Sequence, residues 1–393
     1  MSQLKVNTIR HTGASSDAIT LASDGTATAK ITNQPPGNRN LVINGAMQVA
    51  QRGTSSTTNG YNTVDRFEHV TAGTDENPTF GQVDVTSNDP GPWEKGFRKA
   101  FRFTNGNQTS GAGVTDFIWL RTYLEAQNIA SSGWDYTSAS SYITLSFWIK
   151  SSVAQDFKGY VRAFDGTSQM YPFATGSLSA DTWTKITKTI PGNSNIQVDN
   201  DNGAGLQVNI LPFMGTDYTN NATTENAWAA FDSTARVQDM TSTWYTTNDA
   251  QLEITGVQLE VGDTATEFEH RSYGDELFRC KRYYQVLIEG DSGGSEKTFG
   301  TATCYNATSL HLAVRLSPEM RTTPTADFNT GTDYYKVFAN NASDSFDAFT
   351  LAGNSTNRVA DVYADSGVST TAGAPGLLRT ANASAKIAFQ AEL

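Results

Sequence analysis

Chemistry in this chain would have to start from four histidines, two cysteines and a large stock of carboxylates. His11, His69, His270 and His311 are scattered, and none sits in an HxH, HExxH or Cys/His cluster of the kind that holds a metal. There is no GxSxG elbow and no phosphate-binding loop. Glu68-His69 and Glu269-His270 place an acid beside a base, but neighbours on a strand point to opposite faces, so these read as hairpin or loop histidines. No dense oxygen-ligand motif like a calcium loop is present, around Asp263 and Glu267 or elsewhere. Cys280 and Cys304 lack metal-like spacing and read as buried thiols. No catalytic residue, no metal site and no cofactor is assigned, and the chain reads as a non-enzyme.

Aromatic residues carry the more specific signal. In DFIWLRTYL, Ile118, Leu120 and Leu124 share one parity, while Phe117, Trp119, Arg121 and Tyr123 share the other. In YITLSFWIKS, Ile143, Leu145, Phe147 and Ile149 oppose Tyr142 and Trp148. One face of each strand already serves a core, so large rings on the second face need a cover. A partner sheet or long loop, a subunit contact, or a ligand groove would each supply one. Trp119, Arg121, Tyr123, Tyr142 and Trp148 are the candidate ligand-binding residues. Trp228 and Trp244 lie in polar loops or short strands near the sandwich's end and fit rim packing equally well.

The elements that must position these residues are strands. Only 17% of residues are charged, against the Glu/Lys/Arg-rich surface of long helices, and Ser, Thr, Asn and Gly dominate the polar remainder. A net charge of −12 without a Lys/Arg cluster argues against a nucleic-acid face. No apolar run approaches a membrane span, and MSQLKVNTIR lacks a signal-peptide core.

The stretch from Ala250 to Gln285 organises the chain. Leu252 and Ile254 share one parity and Val257, Leu259 and Val261 the other, which predicts a bulge at Gly256. Asp275 is the expected N-cap of a short helix, with Leu277, Cys280 and Tyr284 at helical spacing. Residues 1–39 read as an arm without a core of its own, closed by the stiff linker Asn33-Gln-Pro-Pro-Gly-Asn. Residues 40–270 read as a two-sheet sandwich, with Phe97, Phe101 and Phe103 on one face of FRKAFRFTNG. Residues 271–393 read as a smaller β domain, opened by the helix and closed by AKIAFQAEL. The expected fold class is all-β: an extended N-terminal arm, a jelly-roll β-sandwich, and a second, smaller C-terminal β-sandwich.

The run QLEVG…T.FEHRSYG.EL..C.RYYQ resembles the junction in bacteriophage tail-fibre and other virion-appendage proteins. NLVINGAMQVAQRG from Asn40, YITLSFWIKS from Tyr142 and the closing AKIAFQAEL fit the same resemblance, which spans roughly 40–393. It implies a jelly roll similar to carbohydrate-binding modules, followed by a small β head at the tip of a homotrimer. It also implies an arm that attaches to other virion proteins or forms intersubunit strands, and a place on the virion after synthesis in the host cytoplasm. For the aromatic residues it implies a groove in which rings stack on host-surface sugars and Arg121 supplies hydrogen bonds. A purely structural virion part, such as a head decoration, adaptor or whisker, is the rival expectation. A depolymerase is the third, and would need two carboxylates brought together in space.

Overall fold

The computed structural model describes residues 6–10, 12–13, 19–21, 23, 27–29 and 38–393. Most of the predicted Pro-Pro linker lies outside the described residues. In the arm, β1 (Thr8–Ile9), β2 (Ile19–Leu21) and β3 (Ala27–Ala29) pair antiparallel in a small three-stranded sheet. Ile9 and Leu21 are exposed on it.

The body holds β4 (Ser55–Ser56), β5 (Glu68–Ala72), β6 (Thr79–Asp84), β7 (Lys99–Thr104), β8 (Phe117–Glu125), β9 (Tyr142–Ser151) and β10 (Asp156–Ala163). It continues with β11 (Gln169–Ser177), β12 (Thr184–Pro191), β13 (Ala204–Met214), β14 (Ala229–Ala230) and β15 (Gln251–Val261). One sheet runs β14-β11-β10-β13-β8-β5 and the other β12-β9-β15-β7-β6-β4. The chain crosses between the sheets repeatedly, as a jelly-roll sandwich does. The alternating Ile143, Leu145, Phe147 and Ile149 of β9 point inward against Ile118, Leu120, Val208 and Ile210 of the opposing sheet. Phe147 and Phe173 meet across the gap with ring centroids 6.4 Å apart. Each buried Ile, Leu or Phe of this set contributes roughly 1.5–3 kcal/mol of transfer free energy.

The organising strand behaves as its parity predicts. Register between β15 and β9 shifts between Thr255 and Gln258, and Gly256 sits there at φ +65°. A Cβ on Gly256 would approach the Phe97 ring to 2.6 Å, so this position is closed to other residues. Leu252, Ile254, Val257 and Leu259 all reach the same core despite the slip. Phe97 is a correction: it precedes β7 and packs on Gly256, Phe268 and His270, whereas Phe101 and Phe103 enter the sandwich core. Trp244 is another. It lies on α2 (Thr243–Thr246), is fully buried in the core, and donates its indole N–H to the Gln251 carbonyl at 3.0 Å.

A short helix α1 (Ala126–Ala130) follows β8, and α3 (Tyr273–Cys280) leads into the head. The cap lies three residues before the expected Asp275. Ser272 is the N-cap, its hydroxyl accepting from the Asp275 amide at 3.1 Å, and Asp275 serves inside the first turn instead. The helix also ends at Cys280, so Tyr284 opens β16 (Tyr284–Glu289) rather than extending the helical face.

The head then takes β17 (Thr298–Asn306), β18 (Ser309–Arg315), β19 (Thr325–Phe328), β20 (Tyr335–Ala339) and β21 (Ala342–Phe346). It closes with β22 (Thr350–Leu351), β23 (Val359–Ala364), β24 (Pro375–Thr380) and β25 (Lys386–Gln390). A seven-stranded sheet, β21-β20-β24-β17-β18-β23-β22, packs Leu310, Leu312, Val362 and Leu378 onto Ile387 and Phe389 of the three-stranded sheet β16-β25-β19. Cys280 and Cys304 are free, buried thiols. The chain is therefore all-β, with a jelly-roll sandwich and a second, smaller sandwich.

Candidate functional site

The five candidate residues fall on two sheets. Trp119, Arg121 and Tyr123 stand on the outer face of β8, whose sheet faces one way; Tyr142 and Trp148 stand on the outer face of β9, whose sheet faces the other. They do not converge into one groove. Parity assigns a residue to the outside of its own strand, but not to one side of the molecule.

Each outer face carries its own cover. Over β9, the segment around residues 86–97 folds down so that a Cβ at Gly91 would come within 2.8 Å of the Trp148 ring. Trp148 packs there with Trp93, Trp183 and Val85. Asp89 anchors the segment, accepting from the Trp183 indole at 2.9 Å and from Lys150 at 2.8 Å. Although burial would raise it, these donors and the Thr86 amide hold the Asp89 carboxyl well below the usual carboxylate range. Tyr142 lies half-buried at the far end of β9, paired with Pro191.

Over β8, the chain from about residue 215 to 240 covers half of the sheet. Trp119 is 9% exposed beneath it, in a small cluster with Tyr160, Met170, Leu211, Met214 and Val237. Its ring stacks on Phe117 at 4.5 Å, and the Arg236 guanidinium lies 5.1 Å from its centroid. Trp119 is thus largely packing, with its indole N–H buried and unpartnered.

The other half of the β8 face is open. Register places Arg121 beside Asn209 and Tyr123 beside Gln207 on β13, with Tyr160 and Arg162 next on β10. Arg121, Tyr123, Arg162, Phe164 and Glu68 are half-buried there. The Tyr123 and Phe164 rings are 5.8 Å apart and tilted by 36°. Arg121 donates to Glu68 at 2.5 Å while lying 5.4 Å from the Tyr123 centroid. Arg162 lies 4.4 Å from the Phe164 ring and donates to Ser168 at 2.9 Å. Burial pushes the Tyr123 hydroxyl upward, against the pull of Arg121. Beneath them Asn209 is fully buried with its side-chain oxygen unpartnered. The arrangement is an aromatic platform flanked by guanidiniums and a carboxylate, over buried amides.

Sequence parity reached Arg121 and Tyr123 but passed over Arg162 and Phe164. They stand opposite Val161 and Ala163 in FKGYVRAFD, with the same alternation as Arg121 and Tyr123. Phe231, whose ring lies 3.6 Å from the Arg162 guanidinium, and Arg236 come from an irregular segment with no periodic signal.

The adjacent acid and base pairs separate as strand geometry requires. Glu68 faces out to Arg121, whereas His69 turns inward. His69 is a core residue of β5 rather than a hairpin or loop histidine: it is 1% exposed and lies against Phe80. Burial pushes its pKa down to about 3. His270 accepts from or donates to no acid, and instead sits 2.7 Å from the Lys95 carbonyl. Among the described residues no group of three or more His, Cys, Asp and Glu could hold a metal.

No family model and no curated protein matches the chain. Among solved structures it is similar to the enzymatically active domain of tailspike protein 4 from bacteriophage CBA120. That likeness has 11% identity over 57% of this chain, spans only 22% of the tailspike chain, and has a TM-score of 0.30. It is also similar to the N-terminal cellulose-binding domain of Cellulomonas fimi β-1,4-glucanase C, with 11% identity, 55% and 100% of the two chains covered and a TM-score of 0.26. A family 11 carbohydrate-binding module from Clostridium thermocellum, solved with a mixed-linked tetrasaccharide, shows 10% identity, 55% and 98% coverage and a TM-score of 0.24.

Proposed function

We propose that the chain is a non-enzymatic subunit of a bacteriophage appendage, a tail fibre or spike, that adheres to host-surface glycans. The observation that carries this reading is the open half of the β8 face. Tyr123 and Phe164 offer rings to the apolar face of a sugar, and Arg121, Arg162 and Glu68 offer hydrogen bonds at its edge. The resemblance of the 250–285 junction to virion appendages supports the setting. A flat, half-exposed platform encloses little of a ligand, so single contacts are weak and adhesion arises by repetition over subunits and appendages.

The assembly that suits this reading is a homotrimer, joined to other virion proteins through the arm. Exposed Ile9 and Leu21 on an arm sheet of only three short strands support a partner there. A second reading, a purely structural virion part, is favoured by the outer face of the seven-stranded head sheet, where Tyr305 is 75% exposed and Leu377 and Val359 are also exposed. Binding of the purified chain to an array of host-surface glycans separates the two. In the adhesin, Tyr123→Ala and Phe164→Ala each weaken binding roughly tenfold or more, with little change in melting temperature. Glycan binding that ignores both substitutions removes the platform from the proposal, and a monomer mass by light scattering removes the trimer. Release of reducing ends from a bound glycan would replace adhesion by cleavage.

A further inference from the structure

A second concavity lies between the sandwich and the head. It is a cleft of about 610 Å³, walled on one side by Arg52 and 59–62 and on the other by 321–327 and 386–392. The volume lies within the range of small-ligand sites, and the walls are almost wholly hydrogen-bonding groups around one ring, Tyr61. Buried contacts set the distance between the walls. Glu392 of the head accepts from Arg52 at 3.1 Å and from the fully buried Arg66, and the Tyr61 hydroxyl donates to the Leu393 carbonyl at 3.2 Å.

The charge inside the cleft is unbalanced. Lys386 and Asp327 neutralise each other at 2.8 Å. Arg321 spends its guanidinium on three backbone carbonyls, those of Asn202, Ala391 and Glu392, and forms no ion pair among the described residues. Arg52 and Arg66 share Glu392. Asp65, also close to Arg52, is engaged by the backbone and side chain of Gln51. Among the side chains that line the cleft, three cations, Arg52, Arg321 and Lys386, therefore face two carboxylates, Asp327 and Glu392, in a chain whose net charge is −12. Arg52 is the telling residue. Its side chain is 7% exposed, it lies 3.6 Å from the Tyr284 ring and 5.8 Å from the Tyr61 ring, and its Nη1 is buried without a hydrogen-bond partner among the described residues. A buried guanidinium nitrogen left unpaired is costly unless an acceptor completes it.

We propose that this cleft is a second ligand site, specific for an acidic oligosaccharide whose carboxylate completes Arg52 and whose sugar ring lies against Tyr61. That the ligand is a saccharide rests on the adhesion reading; that it is an anion does not. Such a site is shared by both domains, so neither domain alone retains it.

Calorimetry on the full chain tests this with a short oligogalacturonate and the neutral oligogalactoside of the same length. The acidic oligomer binds at least tenfold more tightly at low salt, and the advantage shrinks at high salt. Thr323 is an exposed wall residue, so Thr323→Trp fills the cleft without disturbing the core and abolishes the acidic preference. Arg52→Gln also weakens acidic binding, but it touches the domain contact, so Thr323→Trp is the decisive variant. Equal binding of the two oligomers, or acidic binding that survives Thr323→Trp, overturns the proposal. Binding lost with Tyr123→Ala and kept with Thr323→Trp overturns the cleft alone. Binding indifferent to both overturns the platform as well.

Discussion

His69 and Asp65 carry opposite pH dependences, and their cancellation can be tested. His69 is buried and its pKa falls to about 3 against the pull of the Gly60 backbone, so below the ordinary imidazole range the unfolded chain binds a proton that the folded one refuses. Its contribution is therefore lost as pH falls from about 6.5 towards 3. Burial raises Asp65 to about 6 in spite of its hydrogen bonds from Gln51. The folded chain here takes a proton that the unfolded one does not, so stability rises as pH falls from about 6 to 3.8. Between about pH 6 and pH 4 the two terms offset each other. Removing either uncovers the other: His69→Leu should gain roughly 2.5 kcal/mol relative to wild type over that interval, and Asp65→Asn should lose roughly 2 kcal/mol. Urea unfolding of the three proteins at both pH values checks the signs. Parallel profiles would mean that neither group titrates as its burial implies. Nothing in FEHV separates the two roles of Glu68 and His69 beyond parity. Which face met the core depended on neighbours far along the chain.

At the scale of elements, sequence parity was a reliable guide to strands and a poor one to what lies over them. It located β9, β15 and the Gly256 bulge, because an inward run of Ile, Leu and Phe can be satisfied in only one register. It missed β19, β21 and β24, where exposed and polar residues dilute the alternation and Pro375-Gly376 imitates a turn. It also grouped Trp119 with Trp148, because side-chain alternation is a local property and sheet membership is not. The covers over these rings come from irregular segments, 86–97 and 215–240, whose packing leaves no period to read. The consequence is a split within the candidate residues of β8. Trp119→Ala should open a cavity under the 215–240 segment and cost about 3–5 kcal/mol, whereas Tyr123→Ala, at the open end of the same strand, should cost about 1 kcal/mol or less. Thermal melts at two protein concentrations separate this from a subunit contact, for which the loss would depend on concentration. Equal losses at the two positions would contradict the half-covered face.

In the whole molecule the controlling feature is the contact between sandwich and head, and it is made of buried charge. Glu125, at the end of β8 with a side chain 0% exposed, accepts from Arg282 at 2.7 and 2.8 Å and from the Tyr283 hydroxyl at 2.5 Å. Arg66 lies 3.4 Å from the Tyr283 ring, donates to the Tyr123 carbonyl at 2.9 Å, and pairs with Glu392 beyond the last strand. The RYYQ run thus joins the domains, with Arg282 and Tyr283 reaching back into the body while Tyr284 starts the head. Its aromatic and basic residues were visible in the sequence. Their partners were not, since Glu392 is separated from Arg66 by most of the chain. A contact of this kind is geometrically strict, because an ion left without its partner in a buried setting is penalised more than the pair is rewarded. Glu392→Gln keeps the shape but leaves Arg52 and Arg66 without their shared anion. It should destabilise the junction by about 3–5 kcal/mol while leaving the two cores, which share no residue, intact. Calorimetry should then show one cooperative transition for the wild type and two for the variant, as each sandwich melts on its own. A single transition that merely moves to lower temperature would mean that apolar packing, rather than the Glu392 pairs, couples the domains. The cleft at the junction would then keep its shape without them.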